Sequence, residues 1–314
     1  MSSGETSFSY QPFEGIATFG HQTFAIEPAD ADVTILGVPF DGTVSGRSGT
    51  RLGPRAIREQ SLCLWGYNNA LQVAPFEKLR VIDAGDVRVV PPDVVETHRN
   101  CEEAARRVLE SGSRLITLGG EHSISLPLLR AHAEKHGPVC LIQFDAHPDT
   151  WHEEYSGHRF SHGTPFRRAF EEGLIDPTGF MQLGIRGPTG GPQDYVHAFD
   201  CGARMWTTDA IIDTGIPNVL NEIRNTLGDR PVYVTFDIDV ADPAYAPGTG
   251  TPEVGGLTSR ELLQLVRGLT GLQLVGFDLV EVAPAYDHAG ITALLAANLV
   301  FEFLSLLALC TGAE

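Results

Sequence analysis

Short β-branched and aliphatic runs, most of them ending in Gly or Asp, alternate along this chain with segments in which apolar residues recur every three to four positions. A chain that switches between these two periods predicts βαβ units and a parallel sheet. The runs place strands at 33–38, 80–82, 114–118, 139–144, 180–185, 232–238 and 272–279. Helical periods fall at 94–109, 126–136, 218–227, 260–269 and 291–307. No composition break, linker or internal repeat divides the chain, so a single domain over 1–314 is expected.

Polar residues gather where the runs stop. Asp41, Asp86, Glu121, Asp145, Asp237 and Glu281 each sit at or just after one. In open α/β sheets ligands bind beyond the carboxyl ends of the strands, where loops vary over a rigid frame. A strand turning into a polar loop accounts for any one of these residues; it accounts poorly for the motifs around four of them.

Composition narrows the partners. The chain carries 22 Lys+Arg against 40 Asp+Glu, a formal net charge of −18. That balance repels phosphate backbones and anionic lipid, so neither nucleic acid nor a membrane is expected, while a small cationic molecule is favoured. The five Cys are scattered, odd in number and form no C-x-x-C pair, which argues against a disulfide framework or zinc knuckle and fits a reducing cytoplasm. No Lys or Arg precedes Arg47, so neither a basic secretory signal nor an Arg-rich transit peptide is expected. The stretch 291–310 is long and apolar enough to span a bilayer, but Asn298 and Glu302 interrupt it and no basic flank follows. A buried helix is the prediction.

Four segments carry the chemistry. Gly119-Gly120-Glu121-His122-Ser123 follows one apolar run, Asp145-Ala146-His147-Pro148-Asp149 closes the next, and Asp237-Ile238-Asp239 and Glu281 close two more. Alternate residues of an extended segment face one side, so Asp145 pairs with His147, Asp149 follows past the strand end, and Asp237 pairs with Asp239. With His122 these make six candidate ligands, two imidazoles and four carboxylates. Four ionised Asp in one pocket repel one another unless counter-charge is present. Two divalent cations balance them, which favours a dinuclear site. The oxygen-rich donor set is harder than a typical zinc site and favours manganese or a similar ion. A D-x-D or a His after Gly-Gly is weak alone; D-A-H-P-D behind a strand is stronger, and the three together point to metal.

At these residues the chain resembles the ureohydrolase family, the arginases, agmatinases and their relatives, and the agmatinases most of all. The resemblance runs from about Gly37 to the C-terminal helix and leaves an extension over 1–31 poorly covered. It includes Ser45-Gly46-Arg47-Ser48-Gly49, Gly53-Pro54-Arg55-Ala56-Ile57-Arg58, Ser161-His162-Gly163-Thr164-Pro165-Phe166, the Gly- and Pro-rich stretch 242–252, and Asp278-Leu279-Val280-Glu281-Val282-Ala283-Pro284. The resemblance implies an α/β fold, a three-layer α/β/α sandwich around a parallel sheet of about eight strands, assembled as a homo-oligomer, a trimer or hexamer. It implies two manganese ions per chain on His122, Asp145, His147, Asp149, Asp237 and Asp239, a guanidinium gripped by Glu281, and His162 as proton shuttle. Without it, His152, His158 and His162 share the shuttle role evenly. One departure is visible. Where many relatives carry Asp before the first ligand histidine this chain has Glu121, one methylene longer, so the outer support of His122 is expected to differ in detail.

The reaction so implied is hydrolysis of a guanidino group to urea and a primary amine. A guanidinium carbon is a poor electrophile, and two divalent metals that lower the pKa of a water supply the nucleophile it needs. Asp149 is the ligand expected to accept hydrogen bonds from the tetrahedral intermediate. The stretch 242–257 suits a shaped wall beside the metals, and the Arg47 region a part of the mouth. For the substrate's far end, Glu153 and Glu154 suit an ammonium, as in agmatine, whereas Arg159 or Arg186 suits a carboxylate, as in guanidinobutyrate. The overall acidity leans towards the dication. Two other readings are an inactive metal-bound regulatory homologue and an amide hydrolase with a single zinc; activity and metal stoichiometry separate them.

Overall fold

Strands that are covered on both faces have to be apolar along their whole length, which is why the runs carry little polar–apolar alternation. The computed structural model describes residues 11–28 and 30–310. Among the described residues there are nine strands: β1 (Thr23–Phe24), β2 (Val33–Val38), β3 (Val81–Asp86), β4 (Arg114–Gly119), β5 (Val139–Phe144), β6 (Ile175–Ile185), β7 (Arg204–Thr207), β8 (Pro231–Asp237) and β9 (Gln273–Val280). They form one sheet in the order β1-β3-β2-β4-β9-β8-β5-β6-β7, and every pairing is parallel. The runs predict seven strands and the resemblance about eight. The two unpredicted strands lie at the sheet's edges, where β1 is two exposed residues and β7 four that are exposed or half-buried, so neither needs an apolar run. Of the extension, residues 1–10 lie outside the described residues, and 11–28 contribute a short turn at Phe19–His21 and the edge strand β1.

Alternation of side chains along each strand builds two apolar layers. From β5, Cys140, Ile142 and Phe144 enter one layer, with residues of the helices Ile216–Leu227, Ser259–Arg267 and Ile291–Cys310. Val139 and Leu141 enter the other, with the helices Val94–Glu110, Ser125–His136 and Pro165–Glu171. The molecule is thus an α/β/α sandwich. Local chemistry sets helix starts: Asp93 accepts the Glu96 N–H at 2.9 Å, and Thr258 and Glu261 form a reciprocal capping box at 3.2 and 2.8 Å.

The helix Ile291–Cys310 is the one described helix long and apolar enough to cross a membrane, and it is largely buried in the fold. Phe303 stacks on Phe277 of β9 with ring centroids 4.2 Å apart. Its buried Glu302 accepts from Asn68 at 2.9 Å and pairs with Arg267. Asp287 caps its first turn through the N–H groups of Thr292 and Ala293, at 2.9 and 3.0 Å.

Candidate metal centre

Strands β4, β9, β8 and β5 are adjacent in the middle of the sheet. Their register sets Leu118 beside Leu279, Asp237 beside Val280 and Phe144 beside Phe236, so the four chemical segments leave the sheet at nearly one level. Residues more than a hundred positions apart therefore meet in one crevice beyond the carboxyl ends. The turn after β4 has to be glycine, because a Cβ at Gly120 would fall 1.9 Å from the Phe40 carbonyl oxygen. The Glu281 N–H donates to the Gly120 carbonyl at 2.8 Å, and Glu281 Oε1 accepts the His122 N–H at 2.9 Å.

Two groups of donors form around a shared carboxylate: His122, Asp145 and Asp149 in one, Asp145, His147 and Asp239 in the other, with ligand atoms of each group within 4.8 Å. Nδ1 of His122 lies 2.8 Å from Asp149 Oδ2, 3.1 Å from Asp145 Oδ2 and 3.4 Å from Asp237 Oδ2. Nδ1 of His147 lies 3.0 Å from Asp239 Oδ2 and 3.6 Å from Asp145 Oδ1. An octahedral divalent ion with ligand bonds of about 2.1 Å sets neighbouring ligands about 3.0 Å apart, so these spacings fit such ions. His122 Nδ1 is buried without a hydrogen-bond partner, as a ligand nitrogen would be. Backbone donors hold other oxygens of the carboxylates. Asp145 Oδ1 accepts the His147 N–H at 2.7 Å, Asp237 Oδ1 the Asp239 N–H at 2.8 Å and Asp239 Oδ1 the Ala146 N–H at 3.0 Å.

The far nitrogen of His122 has its own support. Nε2 lies 2.8 Å from Thr235 Oγ1, which donates to Asp278 Oδ1 at 2.6 Å. The hydroxyl's proton is thus committed to Asp278, so Nε2 must carry the ring proton and Nδ1 the free lone pair. Tyr233 donates to the other Asp278 oxygen at 2.6 Å. Support of His122 therefore comes from Thr235 and Asp278. Glu121, where the sequence placed the difference, takes its bonds from Thr43 and Ser123.

Crowded carboxylates titrate accordingly. Burial and the charge of Asp145 push Asp149 up to about 7, and burial with the charges of Asp239 and Asp145 pushes Asp237 well up. Burial would also raise Asp145, but the two imidazoles beside it hold it below the usual carboxylate range. This is the self-repulsion that bound cations relieve.

Glu281 closes the crevice. Its Oε2 is buried and has no hydrogen-bond partner, while Oε1 lies 3.3 Å from His162 Nδ1. Nε2 of His162 lies 3.0 Å from the Ser45 amide nitrogen, 2.7 Å from Ser45 Oγ and 3.2 Å from Glu154 Oε1. Burial would lower the His162 pKa, but Glu154 and Glu281 raise it well above the ordinary imidazole value. Both Asp149 and Glu281 occupy the left-handed region, at φ 47° and 65°, which few non-glycine residues adopt and which is common at functional sites.

The crevice gathers His122, Asp145, His147, Asp149, Asp237, Asp239, Glu281, His162 and Glu154. Of the loop histidines, His152 and His158 are exposed and only His162 is buried. The structure does not bring the other specificity candidates into this set. Glu153 is exposed and accepts from Gly157, Arg159 is exposed and paired with Glu171 at 2.7 Å, and Arg186 donates to the backbone carbonyls of Gly184, Asp239, Val240 and Ala241. Asp41 and Asp86, also at strand ends, hold Arg51 and Arg58 instead. The stretch 242–257 does border the crevice: Thr251 donates to Asp239 Oδ2 at 3.3 Å, and a Cβ on Gly250 would lie 3.6 Å from Glu281 Oε2. Beside it, the Arg47 N–H donates to the Gly250 carbonyl and the guanidinium lies 5.2 Å over the Tyr286 ring. Sequence reasoning gave no role to Thr235, Asp278 or Ser45, although Ser45 and Asp278 stand in motifs it singled out. A polar residue inside an all-apolar central strand signals a buried network, and Thr235 and Asp278 carry that signal; for Ser45 nothing in the pattern points to His162.

Residues 31–305 match the Arginase family. A guanidinopropionase of Pseudomonas aeruginosa is 44% identical over 296 residues, 94% of this chain and 93% of that protein. An agmatinase of Edwardsiella ictaluri is 48% identical over 281 residues, 88% of each chain. Among solved structures, the proclavaminate amidino hydrolase of Streptomyces clavuligerus superposes with a TM-score of 0.92 at 41% identity, covering 95% of this chain and 99% of that one.

Proposed function

The chain belongs to the Arginase family, and from that premise we propose that it hydrolyses a guanidino compound to urea and a primary amine, with agmatine as its substrate. The observation that carries the reading is the free, buried Oε2 of Glu281 beside a donor set for two cations. His122, Asp145, Asp149 and Asp237 would hold one ion, and Asp145, His147 and Asp239 the other, with manganese favoured by the four carboxylates. Bound there, the pair supplies Lewis acidity and a water acidified enough to attack at neutral pH.

The protein's own groups do the rest. Glu281 Oε1 is fixed by the His122 N–H, so Oε2 remains to accept a guanidinium N–H in a charge-assisted bond and orient the plane of the cation. Glu154 and Glu281 favour the charged form of the His162 ring, from which a proton can pass to the departing amine. Glu154 then sits beside Nε2 to restore the charge balance of the ring. Arg159 pairs with Glu171 and Arg186 is held by backbone carbonyls, neither among the groups gathered in the crevice, whereas Glu154 puts a carboxylate beside His162 inside it; that contrast favours agmatine. A guanidino acid is the second reading, favoured by the exposed Arg47 next to Gly250 and by the guanidinopropionase relative. Urea release after manganese loading, with agmatine and 4-guanidinobutyrate side by side, tests both. Faster turnover of agmatine is expected. Preference for the acid would move specificity to Arg47, and no urea from either would refute the reading.

A further inference from the structure

Glu121 is fully buried next to the centre, yet it is in neither group of donors. Its Oε2 accepts the Thr43 N–H at 2.7 Å, and its Oε1 accepts both the Thr43 hydroxyl and the Ser123 hydroxyl, the latter at 2.6 Å. Ser123 Oγ in turn lies 3.1 Å from Nε2 of the buried His98. Thr43 opens the stretch Val44-Ser45-Gly46-Arg47-Ser48-Gly49, which holds two glycines and is exposed over 45–48. Such a stretch has little rigidity of its own. It is held where Thr43 meets Glu121, where Arg47 donates to the Gly250 carbonyl at 3.2 Å, and where Gly49 donates to Asp41 at 2.8 Å. The anchors at Thr43 and Arg47 are each two residues from Ser45, whose N–H and hydroxyl meet His162 Nε2; of the two, Thr43 is the one held by both its N–H and its hydroxyl, on a fully buried carboxylate.

We propose that Glu121 is a positioning residue: through Thr43 it sets Ser45 against His162 and so fixes the direction in which that ring presents its proton. The role rests on the proposed function for the part His162 plays, but the coupling of Glu121 to Ser45 is a statement about the loop itself. Length is the point of the glutamate. Aspartate withdraws the carboxylate by one carbon–carbon bond, about 1.5 Å, which stretches a 2.7 Å hydrogen bond beyond bonding distance.

The experiment is a double-mutant cycle of Glu121→Asp with Ser45→Ala, read by steady-state urea release, by bound manganese per chain, and by amide hydrogen exchange over 42–47 without substrate. Glu121→Asp is expected to keep its manganese, lower kcat by about 10- to 100-fold with KM changed less than about twofold, and speed exchange of the Ser45 amide. In the Ser45→Ala background the same change is expected to cost less than it does alone, since the hydroxyl part of its route to His162 is already gone and only the Ser45 N–H remains. Multiplying losses, loss of manganese, or unchanged exchange at Ser45 would each overturn the proposal. Thr43→Val removes only the hydroxyl. If Glu121→Asp does not fold, this variant is expected to give a smaller loss that again does not multiply with Ser45→Ala, and multiplication would overturn the proposal equally. A wild-type chain that releases urea from no guanidino compound would refute the function instead, and the exchange measurement would still decide whether Glu121 holds Ser45.

Discussion

Asp145 is common to both donor groups, and that sharing sets how metal loading should change stability. An ion that binds only the folded chain adds RT ln(1 + [L]/Kd), about 2.7 kcal/mol when its free concentration is 100 times Kd. For 314 residues, an unfolding entropy of about 2.1 cal/mol/K per residue gives about 0.7 kcal/mol/K. Each ion should then raise the unfolding midpoint by about 4 °C, and the pair by about 8 °C. Calorimetric scans of chelator-stripped protein, with and without manganese, read this directly. His122→Ala leaves the group of Asp145, His147 and Asp239, and His147→Ala leaves the group of His122, Asp145 and Asp149, so each should keep about half the rise. Asp145→Ala dismantles both groups and should keep none. Half the rise surviving in Asp145→Ala, or a saturated wild type with one ion per chain, would refute the shared-carboxylate reasoning.

Three further outcomes follow from the same geometry. Glu281→Gln removes the charge from the free Oε2; a charge-assisted hydrogen bond is worth about 1.5–3 kcal/mol, so kcat/KM should fall about 10- to 150-fold with manganese content kept, and an unchanged kcat/KM would take Glu281 out of the site. Thr235→Val leaves the His122 Nε2 proton buried without its acceptor at 2.8 Å. Manganese affinity by titration calorimetry should drop about 10- to 100-fold. Without metal, Asp149 at about 7 keeps a proton that the unfolded chain, with its carboxyl at 3.8, has already released. The folded state thus binds the extra proton between these values, so stability is highest below the lower value and falls as pH rises through the window, by up to about 1.4 kcal/mol per unit for this group. Denaturant midpoints from pH 4 to 8 should show that fall in stripped protein and lose it with manganese; a rise instead would contradict the raised Asp149.

What could be read from the sequence was set by how local its cause is. The strand runs needed only the rule that a doubly covered strand is apolar, and the positions of Asp145, Asp237 and Glu281 needed only the geography of strand ends. The edge strands β1 and β7 bury too little to leave a pattern. The short helix Pro165–Glu171 has only seven residues, under two turns, so no apolar period can repeat within it. Glu153 and Glu154 are adjacent and alike in sequence, yet one faces solvent and the other meets His162. Ser45 reaches His162 across 117 positions, a distance that no local pattern spans.

The sheet order bears on how the chain comes off the ribosome. Strand β4 pairs with β2 and β9, and β8 with β5 and β9, so β9 alone joins the half-sheet made by β1 to β4 to the half made by β5 to β8. His122 belongs to the first half and the five candidate Asp and His ligands from Asp145 to Asp239 to the second. Until β9 has been synthesised and has slotted between its neighbours, the two half-sheets have no edge in common, and the sheet does not bring His122 to the other five residues. Both halves meanwhile present an open, apolar parallel edge, so the nascent protein is most exposed to misassembly just before its last strand and final helix arrive.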